Sequence, residues 1–313
     1  MNITTKLMIR YARYVTYLYD CIAFRFEKER YTPYTMLSGE WYCPPDTEIA
    51  EIAMFQLTVN DKLIHMGYPT DCEIIKKDGR LVLKFTSNGY SAALTTNQCP
   101  DGLIPDVNLT GLVNKANFIL PGIQYQEDTP VTNYVNYYNG TSLWDAIVIY
   151  SLRVGSKRYP YLSGHNLIRI GPTGDEKTFE ITTPELISRS NKSDYTRLIS
   201  KITMKDVDGT PGKYVLTNPY STQRTIYKCR EINFDREWIM DPQTCIRHIL
   251  NYAMRKVDMD SFSFFGYTSL DLLDRISVTD TGFNGEVDRL IISASAEKGV
   301  VTTVWCYHDG YCA

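Results

Sequence analysis

Clusters of histidine and cysteine, which bind metals or carry out nucleophilic catalysis, are absent from this sequence. The 313 residues include only four histidines, His65, His165, His248 and His308, and no two of them stand at a metal-ligand spacing. The eight cysteines are scattered without a C-x-x-C pair. This distribution argues against a disulfide framework and against a zinc site, and it predicts unpaired thiols that are mostly buried.

The short motifs of the common enzyme classes are absent as well. There is no H-E-x-x-H, G-x-S-x-G, G-x-x-x-x-G-K-[ST] or G-x-G-x-x-G segment. Cys245 and His248 lie three positions apart in one predicted helix, whereas a catalytic Cys–His pair is normally assembled from distant parts of a chain. The DVDG segment at 206–209 begins like a calcium loop but lacks the later ligands, so we expect a turn there.

Two pairs of acidic residues are candidates for acid–base chemistry by spacing alone: Glu48 with Glu51, and Asp271 with Asp274. A single sequence does not indicate whether either pair faces across a cleft. The sequence therefore predicts no catalytic, cofactor-binding or metal-binding residue, no cofactor and no enzymatic activity. An enzyme whose site is assembled from distant residues stays open as an alternative.

Long apolar runs and a strong net charge are also missing. No segment reaches the roughly 18 apolar residues of a membrane span, so no span is predicted. Lys6, Arg10, Arg13 and Asp20 interrupt the N-terminal segment, which has no small-residue cleavage site. We therefore expect no signal peptide, and synthesis in a reducing cytoplasm. The net charge of −3 is too small to indicate a general nucleic-acid partner.

What the sequence does contain is tyrosine, with 24 residues, and the alternation typical of β-strands. In the segment MFQLTV, the side chains of Phe55, Leu57 and Val59 share one face. A turn follows at 60–62, and Asp78-Gly79 forms the centre of a second hairpin because both residues tolerate a positive φ. Short strands with regular turns predict a mainly β fold, as a barrel or a sandwich.

A helix followed by a hairpin is predicted for residues 140–170. Ser142 can cap the helix, Asp145 completes a loose capping box, and Gly155 ends the helix. Two strands then flank the turn at 163–165. Such a unit is a small α+β layer that can be inserted into a larger body.

Other parts of the chain have clear local patterns too. Residues 109–118 have helical spacing, and so do residues 242–258, where Pro242 stands in the first turn. Between these two helices, YTRLISKITMKD is predicted to pair with KYVLTN as a hairpin. We find no run of charged residues that would protect exposed strand edges.

Four stretches follow one another in a recognisable order: SNGYSAALTTNQCPDGLIPDVNLTGLVNKAN (87–117), GTSLWDAIVIYSLRVGSKRYPYLSGHNLIRI (140–170), ISRSNKSDYTRLISKITMKD (187–206) and SLDLLDRISVTDTGFNGEVDRLIISASAEKGVVTTVWC (269–306). The second resembles the G-S-x-W-D-x-I segment, with its Y-x-Y-x-x-G hairpin, of phage tail baseplate hub proteins of the late-control-D type. The last is similar to the final strand block of that family. The resemblance covers most of residues 50 to 310, whereas the first fifty residues match poorly.

The resemblance implies two related β-barrel domains and a small α+β insertion. The first barrel is expected over 1–90, the insertion over 91–172, and the second barrel over 173–313, including the helix at about 242–258. In the family, three copies form a ring of pseudo-sixfold symmetry that joins the tail tube to the spike or tail tip. The expected partners are thus further copies in a homotrimer, the tail tube protein, and the spike or tail-tip protein. DNA would only pass through the lumen, and the expected location is the virion tail, after synthesis in the bacterial host cytoplasm.

Two alternatives stay open. One is a tail-associated cell-wall hydrolase, although we expect no room for a catalytic domain after the last predicted strand. The other is a β-rich carbohydrate- or host-surface-binding protein, with four tryptophans as its candidate binding residues: Trp41, Trp144, Trp238 and Trp305. Two or more of them along one exposed groove would favour this binder. Trp144 stands in the predicted helix and is expected in the core.

Overall fold

The computed structural model describes residues 4–99, 102–115, 120, 122–137, 140–155, 159–171, 174–205, 209–210, 214–232 and 242–308, without the side chains at 136, 137, 242, 244 and 245. The fold is mainly β, which confirms the prediction. The strands of the first ninety residues are β1 (Thr5–Tyr11), β2 (Val15–Leu18), β3 (Cys21–Glu29), β4 (Met36–Tyr42), β5 (Ile52–Val59), β6 (Lys62–Lys77) and β7 (Arg80–Gly89).

Shorter strands and all the described helices follow. The strands are β8 (Gly102–Val107), β9 (Gln124–Tyr125), β10 (Thr132–Tyr137), β11 (Tyr161–Ser163), β12 (Leu167–Arg169), β13 (Thr178–Ile181), β14 (Leu186–Lys192), β15 (Lys201–Met204), β16 (Tyr214–Thr217), β17 (Cys229–Ile232), β18 (Met259–Phe265), β19 (Arg275–Val278), β20 (Phe283–Glu286), β21 (Arg289–Ser295) and β22 (Gly299–Tyr307). The helices are α1 (Ala93–Thr96), α2 (Leu109–Lys115), α3 (Leu143–Arg153), α4 (Pro219–Gln223) and α5 (Pro242–Met254). Short 3₁₀ turns cover Ile49–Glu51, Tyr90–Ala92 and Thr183–Glu185. None of the helices in the described ranges has the length and apolar character needed to span a bilayer.

One large sheet contains eleven of these strands, in the order β14–β18–β22–β21–β3–β4–β7–β6–β5–β1–β2. Two tight turns set the register of its centre. Asn60 and Asp61, at φ +47° and +61°, join β5 to β6, while Asp78 and Gly79, at +51° and +77°, join β6 to β7. A positive φ at both central residues is what a primed hairpin turn requires. Both turns confirm the sequence prediction.

The core of this sheet follows from the alternation on β5. Phe55, Leu57 and Val59 point inward and are fully buried. Phe55 stacks on Phe85 of β7 with ring centroids 4.0 Å apart, although β6 lies between their strands. Strands two places apart in a flat sheet are about 9.6 Å from each other. The two rings therefore lean towards each other across β6, and Trp41 lies beside them, its ring centroid 5.6 Å from that of Phe85.

The C-terminal strands complete the same sheet. Strand β21 pairs antiparallel with β3, from Arg289 opposite Glu29 to Ser295 opposite Ala23. Strands from the stretches 1–90 and 173–313 thus share one sheet, and the division into two barrels and an insertion stays a prediction. By its contacts, the chain forms two compact units: unit 1 covers Met1–Ser188 and Phe262–Val304, and unit 2 covers Arg189–Ser261 and Trp305–Ala313.

Unit 2 contains a three-stranded sheet in the order β16–β15–β17, with α5 packed against it. The hairpin of β15 and β16 was predicted, and its buried residues Ile202 and Met204 contact Ile246 and Leu250 of the helix. The helix that the sequence predicted over 242–258 ends earlier, at Met254. Strand β17 runs parallel to β15, which local sequence patterns did not indicate.

The helix–hairpin unit has the predicted form. The Ser142 Oγ accepts the Asp145 backbone N–H at 3.1 Å, and the Asp145 carboxylate accepts the Ser142 N–H at 3.2 Å, so the capping box is complete. Gly155 lies just past the helix end at φ +72°. Strands β11 and β12 pair around the turn at Gly164, and β12 adds β9 on its other side in parallel.

Candidate functional site

His65 is the histidine whose partners come nearest to a catalytic arrangement, and it is sealed inside unit 1. Its Nδ1 lies 2.8 Å from the Thr35 Oγ1, and its Nε2 lies 2.9 Å from the Ser87 Oγ. The Ser87 hydroxyl donates to the Tyr68 carbonyl at 2.9 Å, so its oxygen must accept the Nε2–H, and Thr35 must donate to Nδ1. The side chains of Thr35, His65 and Ser87 are at most 1% exposed. No substrate can reach them, and their role is structural.

The other histidines do not form a site either. His165 lies half-buried in the hairpin turn, where burial, and next the charge of Lys28, lower its pKa. His248 stacks beside Tyr252 on α5, and its pKa is lowered by burial. The Cys245 side chain lies outside the described residues, so the pairing with His248 is not described. His308 contacts the Asp260 carboxylate, with its Nε2 2.8 Å from the Oδ2.

The two acidic pairs that the sequence indicated lie in different environments. Glu48 and Glu51 are exposed beside a 3₁₀ turn. Asp274 is buried, and its carboxylate accepts the backbone N–H of Asp271 at 2.7 Å and that of Lys177 at 2.8 Å. Its hydrogen-bonding capacity is used by the backbone, so it positions a loop and is not poised as a catalytic acid.

No group of three or more potential ligands gathers for a metal ion within the described ranges. The segment 206–208, compared above with a calcium loop, lies outside them. The cysteines correct one expectation: of the six whose side chains the structure describes, Cys99 and Cys306 are buried, Cys21, Cys43 and Cys72 are half-buried, and Cys229 is exposed. Thiols were expected to be mostly buried. Cys21 and Cys229 begin strands, Cys43 directly follows β4, and Cys72 lies in the outer half of β6, where residues 70–77 are all half-buried or exposed.

One buried cluster, which we name the Lys28 site, was not predicted. It consists of Lys28 on β3, Gly164 in the hairpin turn and Asp271 in the loop before β19. The Lys28 side chain is 2% exposed, and its Nζ donates to the Gly164 carbonyl at 2.7 Å and to the Asp271 Oδ1. The Asp271 Oδ2 accepts the Gly164 N–H at 2.6 Å. Lys28 and Asp271 are 243 positions apart, so no sequence pattern links them.

The tryptophans do not line an exposed groove in the described part of the chain. Trp41 is fully buried, Trp144 is 6% exposed in the core as predicted, and Trp305 is half-buried on β22. Trp238 lies outside the described residues. The arrangement that would have favoured a carbohydrate binder is therefore not present among the three that are described.

Exposed aromatic residues gather instead at one edge of the large sheet. Strand β2 is the last strand in the order, and the side chains of Tyr14, Tyr17 and Tyr19 in and beside it are 47%, 45% and 63% exposed. Tyr17 stands opposite Met8 of β1, with the Lys6 ammonium 4.0 Å from the centre of its ring. An edge strand with unpaired backbone groups and exposed rings is suited to protein–protein contact.

The opposite edge of the sheet has a different character. Strand β14 is exposed along most of its length and carries Arg189 and Lys192. Cations on an edge strand discourage nonspecific strand pairing. The expectation was that no run of charged residues protects the edges; β14 carries two separated cations, and the β2 residues Val15–Leu18 include no charge.

A groove of about 600 Å³ lies at one end of the sheet in unit 1. Its lining includes the first residues of β1 and β3, Thr5 and Cys21, together with Phe265 and Val300. Phe265 is 70% exposed, which is unusual for a phenylalanine at the end of a buried strand. The groove contains no acid–base pair, so it offers surface for binding and no chemistry.

Comparison with known proteins shows the fold. No family model and no curated protein matches the chain. Among solved structures, it resembles a tail protein from Neisseria meningitidis, with a TM-score of 0.74 and 12% identity, over 98% of this chain and 97% of that one. It also resembles the 43 kDa tail protein of prophage MuSo2 from Shewanella oneidensis, with a TM-score of 0.69 and 11% identity, over 96% and 98% of the two chains.

A third similar structure comes from a related machine. It is an Escherichia coli protein that is a component of the type VI secretion system and is structurally similar to the bacteriophage T4 tail proteins gp27 and gp5. The TM-score is 0.56 with 10% identity, over 96% of this chain and 76% of that one. The chain therefore has the fold of phage and prophage tail proteins.

Proposed function

We propose that this protein is a structural component of a phage or prophage tail and forms the central hub ring between the tail tube and the spike or tail tip. The observation that carries the proposal is the fold likeness to the Neisseria tail protein over nearly the full length of both chains. A shared module would match only part of each chain. A match from end to end favours a shared place in a similar machine.

The chemistry of the described residues supports a structural role without enzymatic activity. His65 is inaccessible, and the Asp274 carboxylate is held by backbone N–H groups. A direct check is zymography of the purified protein on peptidoglycan. A cleared band that disappears when one acidic residue is substituted would overturn this part of the proposal.

A ring of three copies follows from the proposed position. The tail tube has sixfold symmetry, and two tube-like parts in each of three copies would match it. A permanent ring interface needs large apolar contacts with aromatic anchors, and the tyrosines beside β2 supply rings of that kind. Partners above and below the ring would be the tail tube protein and the spike or tail-tip protein, with DNA passing only through the lumen.

Electron microscopy of intact particles tests the position and the copy number together. The protein is tagged on an exposed loop, such as the Glu297–Gly299 turn between β21 and β22, and the particles are reconstructed with and without the tag. The expected result is three copies around the tail axis, between the tube and the spike. Six copies, or a position on a peripheral fibre, would refute the hub assignment.

A further inference from the structure

The Lys28 site holds a buried amine against a carboxyl group within unit 1. Nothing in the proposed function requires a titratable pair there. We propose that the Lys28 Nζ and the Asp271 Cγ become joined by an intramolecular isopeptide bond, which covalently links strand β3 to the loop before β19.

The reaction is a condensation that needs no further reactant. The Nζ–Cγ bond forms and one Cγ–Oδ bond breaks. Starting from an ammonium and a carboxylate, the nitrogen loses two protons, and these leave with the carboxyl oxygen as one water molecule. The product is a neutral secondary amide that keeps one N–H, so atoms and charges balance.

The surroundings of Lys28 favour the reactive form of its amine. Burial lowers the pKa of Lys28, and the charge of Asp271 opposes this effect. Proton transfer within the pair gives a neutral amine and a neutral carboxylic acid, which are the two species that condense. The Gly164 carbonyl accepts one Nζ–H at 2.7 Å and so fixes the position of the nitrogen.

Two backbone donors contact the carboxyl group where negative charge develops. The Gly164 N–H lies 2.6 Å from the Asp271 Oδ2, and the Leu272 N–H lies 2.8 Å from its Oδ1. Attack of the amine on Cγ places the charge of the tetrahedral intermediate on these oxygens. Fixed N–H groups at that distance stabilise such an oxyanion, as they do in acyl-transfer enzymes.

Position and burial also favour the product. Well-oriented groups held together in one folded chain reach effective molarities on the order of 10⁵ M. Conversion to an amide removes two charges, one of which is almost completely withdrawn from water. A cavity of about 40 Å³ borders Lys28, Asp271 and Thr268, and it has room for the water that is released. The Thr268 Oγ1 is buried without a hydrogen-bond partner in the described part of the chain and can bond to that water.

Intact-mass spectrometry of the full chain after denaturation tests the proposal. The wild-type protein is expected to be lighter than its sequence mass by one water molecule. A branched proteolytic peptide should contain both Lys28 and Asp271, with no tryptic cleavage after Lys28. A wild-type mass equal to the sequence mass overturns the proposal and leaves an ion pair.

Three variants separate the bond from other dehydrations. Lys28→Arg keeps the positive charge but lacks the reactive amine, and Asp271→Ala lacks the carboxyl group, so both are expected at full sequence mass. Asp271→Asn can still react, because its amide loses ammonia, and it should be lighter by one ammonia molecule. Succinimide formation at an Asp-Gly step, such as Asp78-Gly79, also releases one water molecule and would persist in Lys28→Arg. Persistence of the mass loss in that variant therefore also overturns the proposal.

Discussion

As the pH falls, His65 should destabilise this protein at pH values where the carboxylates of the protein are still ionised. Burial, and next the charge of His165, lower the pKa of His65 from 6.5 to about 3. The folded state therefore keeps His65 neutral across a range in which the unfolded chain binds a proton there. Stability is complete above the unfolded pKa of 6.5 and is lost as the pH falls from 6.5 towards 3.

The size of the effect follows from the shift. Each pH unit over which the unfolded chain holds one extra proton costs about 1.4 kcal/mol of unfolding free energy. Relative to neutral pH, His65 alone should therefore cost about 2 kcal/mol at pH 5 and about 4 kcal/mol at pH 3. The first of these values is the useful one, because most carboxylates are still ionised at pH 5.

Urea unfolding of the wild type and of His65→Gln, at half-unit steps from pH 7.5 to about pH 5, measures this cost. Glutamine keeps one donor and one acceptor for Ser87 and Thr35 but does not titrate in this range. The pKa values of His165 and His248 are also lowered, and both residues are present in the two proteins, so the difference between the two slopes isolates His65. Equal slopes would refute the reasoning, and so would an NMR titration in which His65 protonates near its ordinary pKa.

Three further predictions concern a helix cap, a backbone contact and the exposed edge. Ser142→Ala removes the cap of α3 and should lower the unfolding free energy by about 1 kcal/mol in urea titrations; an unchanged midpoint would contradict the role of the capping box. A Cβ on Gly67 would lie 2.0 Å from the Asn88 carbonyl oxygen, whereas one on Gly171 would meet open space. Gly67→Ala should therefore lower the unfolding free energy by about 3 kcal/mol, and Gly171→Ala by less than about 0.5 kcal/mol, in the same urea titrations. A similar loss at both sites would contradict the close backbone contact at Gly67. The Tyr17→Ser/Tyr19→Ser double variant should keep the wild-type melting temperature but enter particles less often, as quantified by immunoblotting of purified tails; normal incorporation would exclude this edge as an assembly surface.

Local sequence signals were sufficient to predict the turns and caps whose interacting residues are only a few positions apart. The turns at Asn60-Asp61 and Asp78-Gly79 need a positive φ, and the residue types that tolerate it are visible in the sequence. The cap at Ser142 is equally local, since its partner Asp145 stands three positions away. The conformations and hydrogen bonds of these elements involve only neighbouring residues, so the sequence predicted them correctly.

Long-range pairings could not be predicted in the same way. The sequence indicated that β3 and β21 are strands, but nothing in either segment specifies the other as its neighbour. The Lys28 site could not be predicted either. A lysine in a strand is ordinarily expected at the surface. Its burial depends on a carboxylate 243 positions away, which only the assembled sheet brings into contact. The absence of catalytic motifs was visible from the start, whereas the surfaces now proposed for assembly depend on which strand ends the sheet.

The pairing of β3 with β21 has a consequence during synthesis. The two strands are about 260 residues apart, so a ribosome takes on the order of 10 to 50 s to make the second after the first. Strands β3 to β7 can pair during that time, but the other side of β3 remains an open template. Nascent chains on one message are thus exposed to strand exchange with each other. Host factors that shield unpaired strands should improve the yield of this protein, and slowing translation without them should reduce it.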